Sequence, residues 1–249
     1  MADPIHQFKI ESLLPLGQVG GAHLDFTNSG FYMLLSVGIT AALMLGATAS
    51  RRIVPSRIQS VAELAYEFVA DTIRNTIGEG GMQFFPLVFS LFMFILVSNV
   101  VGLVPYQFTV MSHIIVTAAL ALLVFFIVII YGFWKNGLHF LNLFVPKGIP
   151  IYMLPLIVFI EVLSFLSRPI SHSVRLFANM LAGHITLFVF ASFITMLGGL
   201  GVLGWFGATL PLALTVALIG LELLVAFLQA YVFTILTCIY LNDALHPGH

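Results

Sequence analysis

MLPLIVFIEVLSFLSRPISHSVRLFANMLAGHITLFVFASFITML, Met153 to Leu197, and WFGATLPLALTVALIGLELLVAFLQAYVFTILTCIYLNDAL, Trp205 to Leu245, are apolar runs of 45 and 41 residues. About 20 residues of helix cross the ~30 Å of bilayer hydrocarbon, so each run is about twice too long for one perpendicular span. As single helices they measure roughly 60 to 68 Å and would need a tilt of about 60°, beyond the usual range of about 0 to 40°. Either they break, with Pro169 the candidate in the first, or they lie strongly inclined. Pro155 and Pro211 fall near the starts of the two runs, where proline is tolerated. The stretch GGLGVLG, Gly198 to Gly204, is glycine-rich and free of charge, which makes it a turn and the two helices antiparallel. The expected unit is a steeply tilted, packed helical hairpin.

The rest of the chain agrees with a bilayer environment. Of its 249 residues 60% are hydrophobic and only 8% are charged, with a net charge of −1, so no basic surface for nucleic acid exists. One cysteine, Cys238, excludes a disulfide framework and a cysteine-built metal site, and reads as packing. The first ~30 residues mix Asp3, Lys9, Glu11 and Asp25 with Pro and Gly, which is not the pattern of a cleavable signal peptide. The expected fold is an all-α polytopic membrane protein, a single integral membrane domain over 1–249. It has about five membrane helices, an interfacial amphipathic helix and an outer-side segment, 1–30, before the first span.

The expected spans are 31–49, 84–104 and 111–134, followed by the hairpin helices 153–197 and 205–245. Arg51, Arg52 and Arg57 follow the first span, and Lys135 and Lys147 bracket the connection after the third. The positive-inside rule places both loops in the cytoplasm and the N-terminus outside. Residues 57–78 differ in kind: Glu63, Glu67, Asp71 and Arg74 recur every three or four positions opposite Ile58, Val61, Leu64, Ala65, Phe68 and Val69. That periodicity predicts an amphipathic helix along the cytoplasmic membrane face, with Ser56 and Gln59 spaced as a capping box and Gly78 at its end.

Arg175 stands in the middle of the first long run and cannot shed its proton to escape low dielectric. Ionisable residues at such depth are rare and mark polar paths or partners. A turn centred near residues 201 to 202 sets residue i opposite roughly 402 to 404 minus i, which puts Arg175 opposite Gln229. The same sum brings Glu222 opposite 180–182, one helical turn from Asn179 and His184. Glu161, Arg168 and Arg175 are seven apart on the first helix, as are Glu222 and Gln229 on the second. The polar residues converge while the remainder of each helix stays apolar.

With these residues in place the chain resembles subunit a of the F-type ATP synthases. The resemblance rests on RLFANMLAGH (Arg175–His184), LELLVAFLQAYVFTILTCIYL (Leu221–Leu241) and NVVGLVP (Asn99–Pro105). Glu161, fourteen residues before the arginine, and PIHQFKIE near the N-terminus add to it. The resemblance implies two offset aqueous half-channels beside a rotating ring of small carboxylate-bearing subunits, with Arg175 standing between them. It implies that Glu222, His184 and Asn179 line the half-channel open to the outer side, that Gln229 helps hold Arg175, and that Glu161 sits toward the cytoplasmic half-channel. Many bacterial members carry a carboxylate at the position of His184 and a histidine at that of Glu222. The exchanged arrangement resembles alphaproteobacterial and mitochondrial members, and so implies a bacterial plasma membrane or, as the alternative, a mitochondrial inner membrane. The implied partners are the rotor ring, peripheral stalk subunits and lipid. No cofactor or metal is implied, and without a phosphate-cradling glycine loop with lysine this is a channel subunit with no nucleotide site of its own.

Plainer readings exist for each residue. Asn99, Asn179 and Gln229 each serve equally as interhelical glue worth ~1 kcal/mol. Arg168 reads as a cation snorkelling to an interface, and His113 and His172, with no metal-ligand spacing, as structural or channel-lining. The rival functions are a secondary transporter and a structural subunit of a respiratory membrane complex. The first lacks support because residues 31–134 and 153–245 show no internal repeat.

Overall fold

The computed structural model describes residues 12–19, 22–49, 55–104, 107–145, 152–199 and 201–246. Arg51, Arg52, Pro105, Tyr106, Lys147 and the PIHQFKIE stretch lie outside the described residues. The elements are β1 (Ser12–Val19), β2 (Ala22–Thr27), α1 (Asn28–Ala49), α2 (Arg57–Ile77), α3 (Phe85–Gly102), α4 (Ile114–Asn136), α5 (Leu154–Gly198) and α6 (Val202–Leu245). Short 3₁₀ stretches occupy Glu79–Phe84, Val110–Ser112 and Gly137–Phe144. Among the described residues, five helical segments are long and apolar enough to cross a membrane. The protein is an all-α polytopic membrane protein with one addition, an antiparallel hairpin of β1 and β2 registered Ser12↔Thr27 to Val19↔Ala22.

Of the two alternatives for the first long run the unbroken helix is the one found: Pro169 lies inside α5 and does not end it, since a membrane helix tolerates the lost hydrogen bond where packing supports the backbone. One expectation about proline needs correction. Pro211 is not in the first turn of its helix, because α6 begins at Val202. Gly201, at φ 82°, makes the turn, and its carbonyl accepts from Trp205 N at 3.1 Å, so the residues after it already belong to the helix. Positive φ at that position is open to glycine at little cost.

The chain divides into two compact units, taken one at a time. The first comprises Met1–Ala42, Phe94–His113 and Leu176–Ala230. Its interior is built from Ile95 and Asn99 of α3, Val110 and Met111 of the following turn, and Leu176, Met180, Ala226 and Ala230 of α5 and α6. Small residues on α6 allow close helix approach, which is how membrane helices associate when burial of apolar surface supplies no drive. Here α5 and α6 run antiparallel: a Cβ at Gly207 would lie 3.9 Å from Leu197, and a Cβ at Gly183 would meet Glu222.

The second unit comprises Leu43–Met93, Ile114–Arg175 and Tyr231–His249. Helix α2 starts at Ser56, whose Oγ accepts from Gln59 N at 3.3 Å, and ends at Gly78, at φ 86°. The Gln59 side chain donates to Glu63 Oε1 at 2.8 Å. Its apolar face is divided. Val69, Ile73 and Ile77 are buried, and the Phe68 ring packs 5.6 Å from Phe92 and 5.3 Å from Tyr231. Ile58, Val61 and Leu64, about one to three turns earlier, stay more than half exposed. Only this N-terminal part of the amphipathic face is open to a membrane surface or a partner.

Large apolar side chains on α5 and α6 are exposed along their length, among them Phe159, Leu163, Trp205 and Leu210. In water such a surface would be an association hazard; in a bilayer it is the lipid-facing side.

Candidate functional site

In the first unit, Glu222 on α6 points at Gly183 on α5. A Cβ at 183 would meet Glu222 Oε1 and lie 3.0 Å from its Cδ, so the movable end of the Glu222 side chain fills the notch that glycine leaves there. Glu222 Oε2 is buried and makes no hydrogen bond to the described residues. His184, the residue after Gly183, meets Thr109 with 3.0 Å between Nε2 and Oγ1. One turn earlier, Asn179 buries an Nδ2 that likewise makes no hydrogen bond to the described residues. Asn99 on α3 donates Nδ2 to the Ala226 carbonyl at 3.3 Å, while its Oδ1 and the neighbouring Ser98 Oγ are buried without a partner among the described residues. Gln229 is buried on α6. This unit thus assembles an acid, an imidazole and several amide and hydroxyl groups with spare hydrogen-bonding capacity, whereas buried polar groups are ordinarily satisfied.

In the second unit, Arg175 is exposed on α5 beside the exposed Val174 and one turn beyond the exposed Ile170. Among the described residues it makes no ion pair. Glu161 is half-buried and also makes none. Arg168 differs from its expected snorkelling role: Nη1 donates to Asp243 Oδ2 at 2.7 Å, both side chains about a quarter exposed. The guanidinium also lies 5.4 Å over the Phe165 ring and 4.9 Å over Tyr240. Its acid partner comes from 75 positions away, which local spacing cannot reveal. His172 is buried, with its ring 3.9 Å from that of Phe233. Arg168, His172 and Tyr240 line a small cleft together with Phe125, Phe165 and Pro169. Thr117 Oγ1 and Ser173 Oγ, both buried, share a hydrogen bond at 3.1 Å.

This constellation can be set against known proteins. The model of the family described as ATP synthase A chain matches residues 30–242. ATP synthase subunit a of Nitrobacter winogradskyi is 70% identical over 249 residues, all of both chains. The protein of that name from Rhodopseudomonas palustris strain TIE-1 is 70% identical over 248 residues, 100% of this chain and 99% of its own. The chain belongs to the ATP synthase A chain family. That family is the proton-translocating stator part of the F-type ATP synthase, and its members work within a hetero-oligomeric complex. This member is a multi-pass membrane protein.

Within this chain the long Glu222 side chain reaches Gly183, one residue beyond the 180–182 that the expected register sets opposite it. The observed partners sum to 404 for Leu197 with Gly207 and 405 for Gly183 with Glu222 in the first unit, and to 405 for His172 with Phe233 in the second. Three residues were not singled out by sequence reasoning: Gly183, Thr109 and Asp243. Gly183 carried a usable signal, a small residue beside the histidine and facing the acid in the antiparallel register. Gly183→Ala is expected to displace the carboxylate tip of Glu222 at little cost in stability, since alanine is the better helix former, read as a melting temperature of the solubilised membrane sector close to that of the wild type. A clear fall would mean that the Glu222 side chain is held in place.

Proposed function

We propose that this chain forms the stator wall of two offset proton half-channels beside a ring of carboxylate-bearing rotor subunits, with Arg175 separating them. The observation that carries this reading is the setting of Arg175: a permanent cation on an exposed apolar helix face, with no carboxylate of the described chain in ion-pair reach. A charge at the centre of a membrane helix costs at least about 2.5 kcal/mol, so a countercharge from outside the chain is called for. A ring carboxylate passing within ~4 to 6 Å would have its pKa lowered by about 1 to 3 units and would release its proton there. The same cation repels protons that would otherwise leak from one half-channel to the other. Each charge falling through 100 mV releases ~2.3 kcal/mol for rotation.

Glu222, His184 and Asn179 are assigned to the outer half-channel. Support comes from the carboxylate and amide of this group, whose buried atoms lack partners among the described residues and are therefore free to bond a transient water or proton carrier. Glu161 is assigned toward the cytoplasmic half-channel, and the exposed Ile58, Val61 and Leu64 of α2 to lipid or a stalk subunit. The location that follows is the inner, or plasma, membrane.

Disulfide trapping in the assembled complex tests the reading. A cysteine at the exposed Ala178, one turn from Arg175, is expected to crosslink to a cysteine placed beside the ring carboxylate, while one at the buried Leu176 is not. Crosslinking from 176 and not from 178 would turn the arginine away from the rotor and overturn the proposal.

A further inference from the structure

The connection between α3 and α4 places one hydroxyl against the imidazole of α5, and the surrounding structure fixes that hydroxyl closely. Thr109 is 2% exposed. Its carbonyl accepts from Ser112 Oγ at 2.6 Å and from Ser112 N at 3.3 Å. Its methyl group fits against Gly102 at the end of α3, where a Cβ would approach Cγ2 to 3.0 Å. The preceding residue, Phe108, stacks on His113 at 4.7 Å and on Tyr32 at 6.0 Å. With both neighbours anchored, Oγ1 sits 3.0 Å from His184 Nε2.

A hydroxyl can reverse its role in a hydrogen bond. Toward a neutral imidazole with Nε2 unprotonated it donates; toward an imidazole protonated at Nε2 it rotates and accepts. A carboxylate could only accept and an ammonium could only donate, so either would favour one charge state of the histidine. We propose that Thr109 is the positioning residue of His184, its hydroxyl bonding Nε2 in both protonation states so that the ring stays in place while it gains and loses a proton. This deepens the proposed function and rests on its assignment of His184 to the proton path.

The other ionisable groups on the elements of this unit are His23 and Asp25 on β2, Tyr32 on α1, His113 at the end of the connection and Glu222 on α6. Burial lowers His113 below the ordinary value of 6.5, which favours its neutral form.

The experiment measures passive proton conduction through the membrane sector of the assembled complex between pH 6 and 9. The variants are Thr109→Val, which keeps the volume and loses the hydroxyl, Thr109→Ser, which keeps the hydroxyl, and His184→Ala. Thr109→Val is expected to lower conduction about two- to tenfold, the size of one lost hydrogen bond. It is also expected to move the pH of half-maximal conduction downward, because a hydrogen bond to the charged imidazolium is stronger than one to the neutral ring, so the protonated state loses more. Thr109→Ser is expected to restore both rate and profile. Loss of rate in Thr109→Val with an unchanged profile and no rescue by serine would reduce the residue to packing and overturn the inference. So would wild-type behaviour of Thr109→Val while His184→Ala is impaired. Wild-type conduction in His184→Ala would instead overturn the assignment of His184 itself, on which the inference depends.

Discussion

Arg175→Lys is expected to abolish useful proton pumping while leaving the complex assembled. The measurement is ATP-driven acidification of inverted membrane vesicles, with passive leak recorded in parallel. Lysine keeps the charge and much of the length, so any role satisfied by a cation alone survives. What is lost is the planar fork, which presents five fixed donors to a carboxylate and pairs with it bidentately. A hydrogen bond to a charged group contributes about 1.5–3 kcal/mol, and a decade of rate corresponds to about 1.4 kcal/mol, so pumping should fall by roughly ten- to a hundredfold. Assembly should persist because Arg175 makes no ion pair among the described residues and is exposed on α5. The prediction separates two classes of explanation. A charge that only fixes assembly tolerates lysine and pumping continues; a geometric gate does not. Preserved pumping would make Arg175 structural and would remove the basis for a stator with two half-channels.

The features legible in the sequence are those governed by period and length. The run from Met153 to Leu197 is apolar throughout, and α5 occupies Leu154–Gly198; Ser56 and Gly78 flank α2 through side-chain and backbone chemistry that is local by nature. The place of Pro211 was less legible, because its helix begins at Val202, ahead of the apolar run that starts at Trp205. The hairpin of β1 and β2 was overlooked because its segments are short and lack clean alternation.

At the site, periodicity brought out Arg175, Glu222, His184 and Asn179 because a polar group in an apolar helix stands out against its neighbours. It could not bring out Gly183, whose contribution is the absence of a side chain, or Thr109, which lies 75 positions from His184 in an irregular connection. Asp243 escaped for the same reason, since its partnership with Arg168 joins the far ends of two long helices. Long-range pairing in a membrane protein is set by helix register together with side-chain reach, and a long side chain such as that of Glu222 meets a residue, Gly183, just beyond the expected range.

Glu222→Leu is expected to reduce passive proton conduction through the membrane sector by about a hundredfold or more, the contribution typical of a positioned acid or base, without loss of assembly. The two halves of that expectation have separate physical grounds. Conduction needs a group that takes up and releases a proton at this position, and leucine offers neither donor nor acceptor. Assembly does not need it: Glu222 Oε2 has no hydrogen-bond partner among the described residues, and Glu222 takes part in no ion pair there. Removing a polar group from membrane depth relieves a desolvation cost, and leucine fills similar space. Glu222→Asp refines the test, because the shortened side chain retracts the carboxylate from the notch at Gly183 while keeping its chemistry. Conduction in Glu222→Asp between those of the wild type and Glu222→Leu would show that placement as well as acidity counts. Undiminished conduction in Glu222→Leu, in a complex of normal composition, would move the outer proton path away from Glu222, and with it the notch at Gly183 would become a packing feature alone.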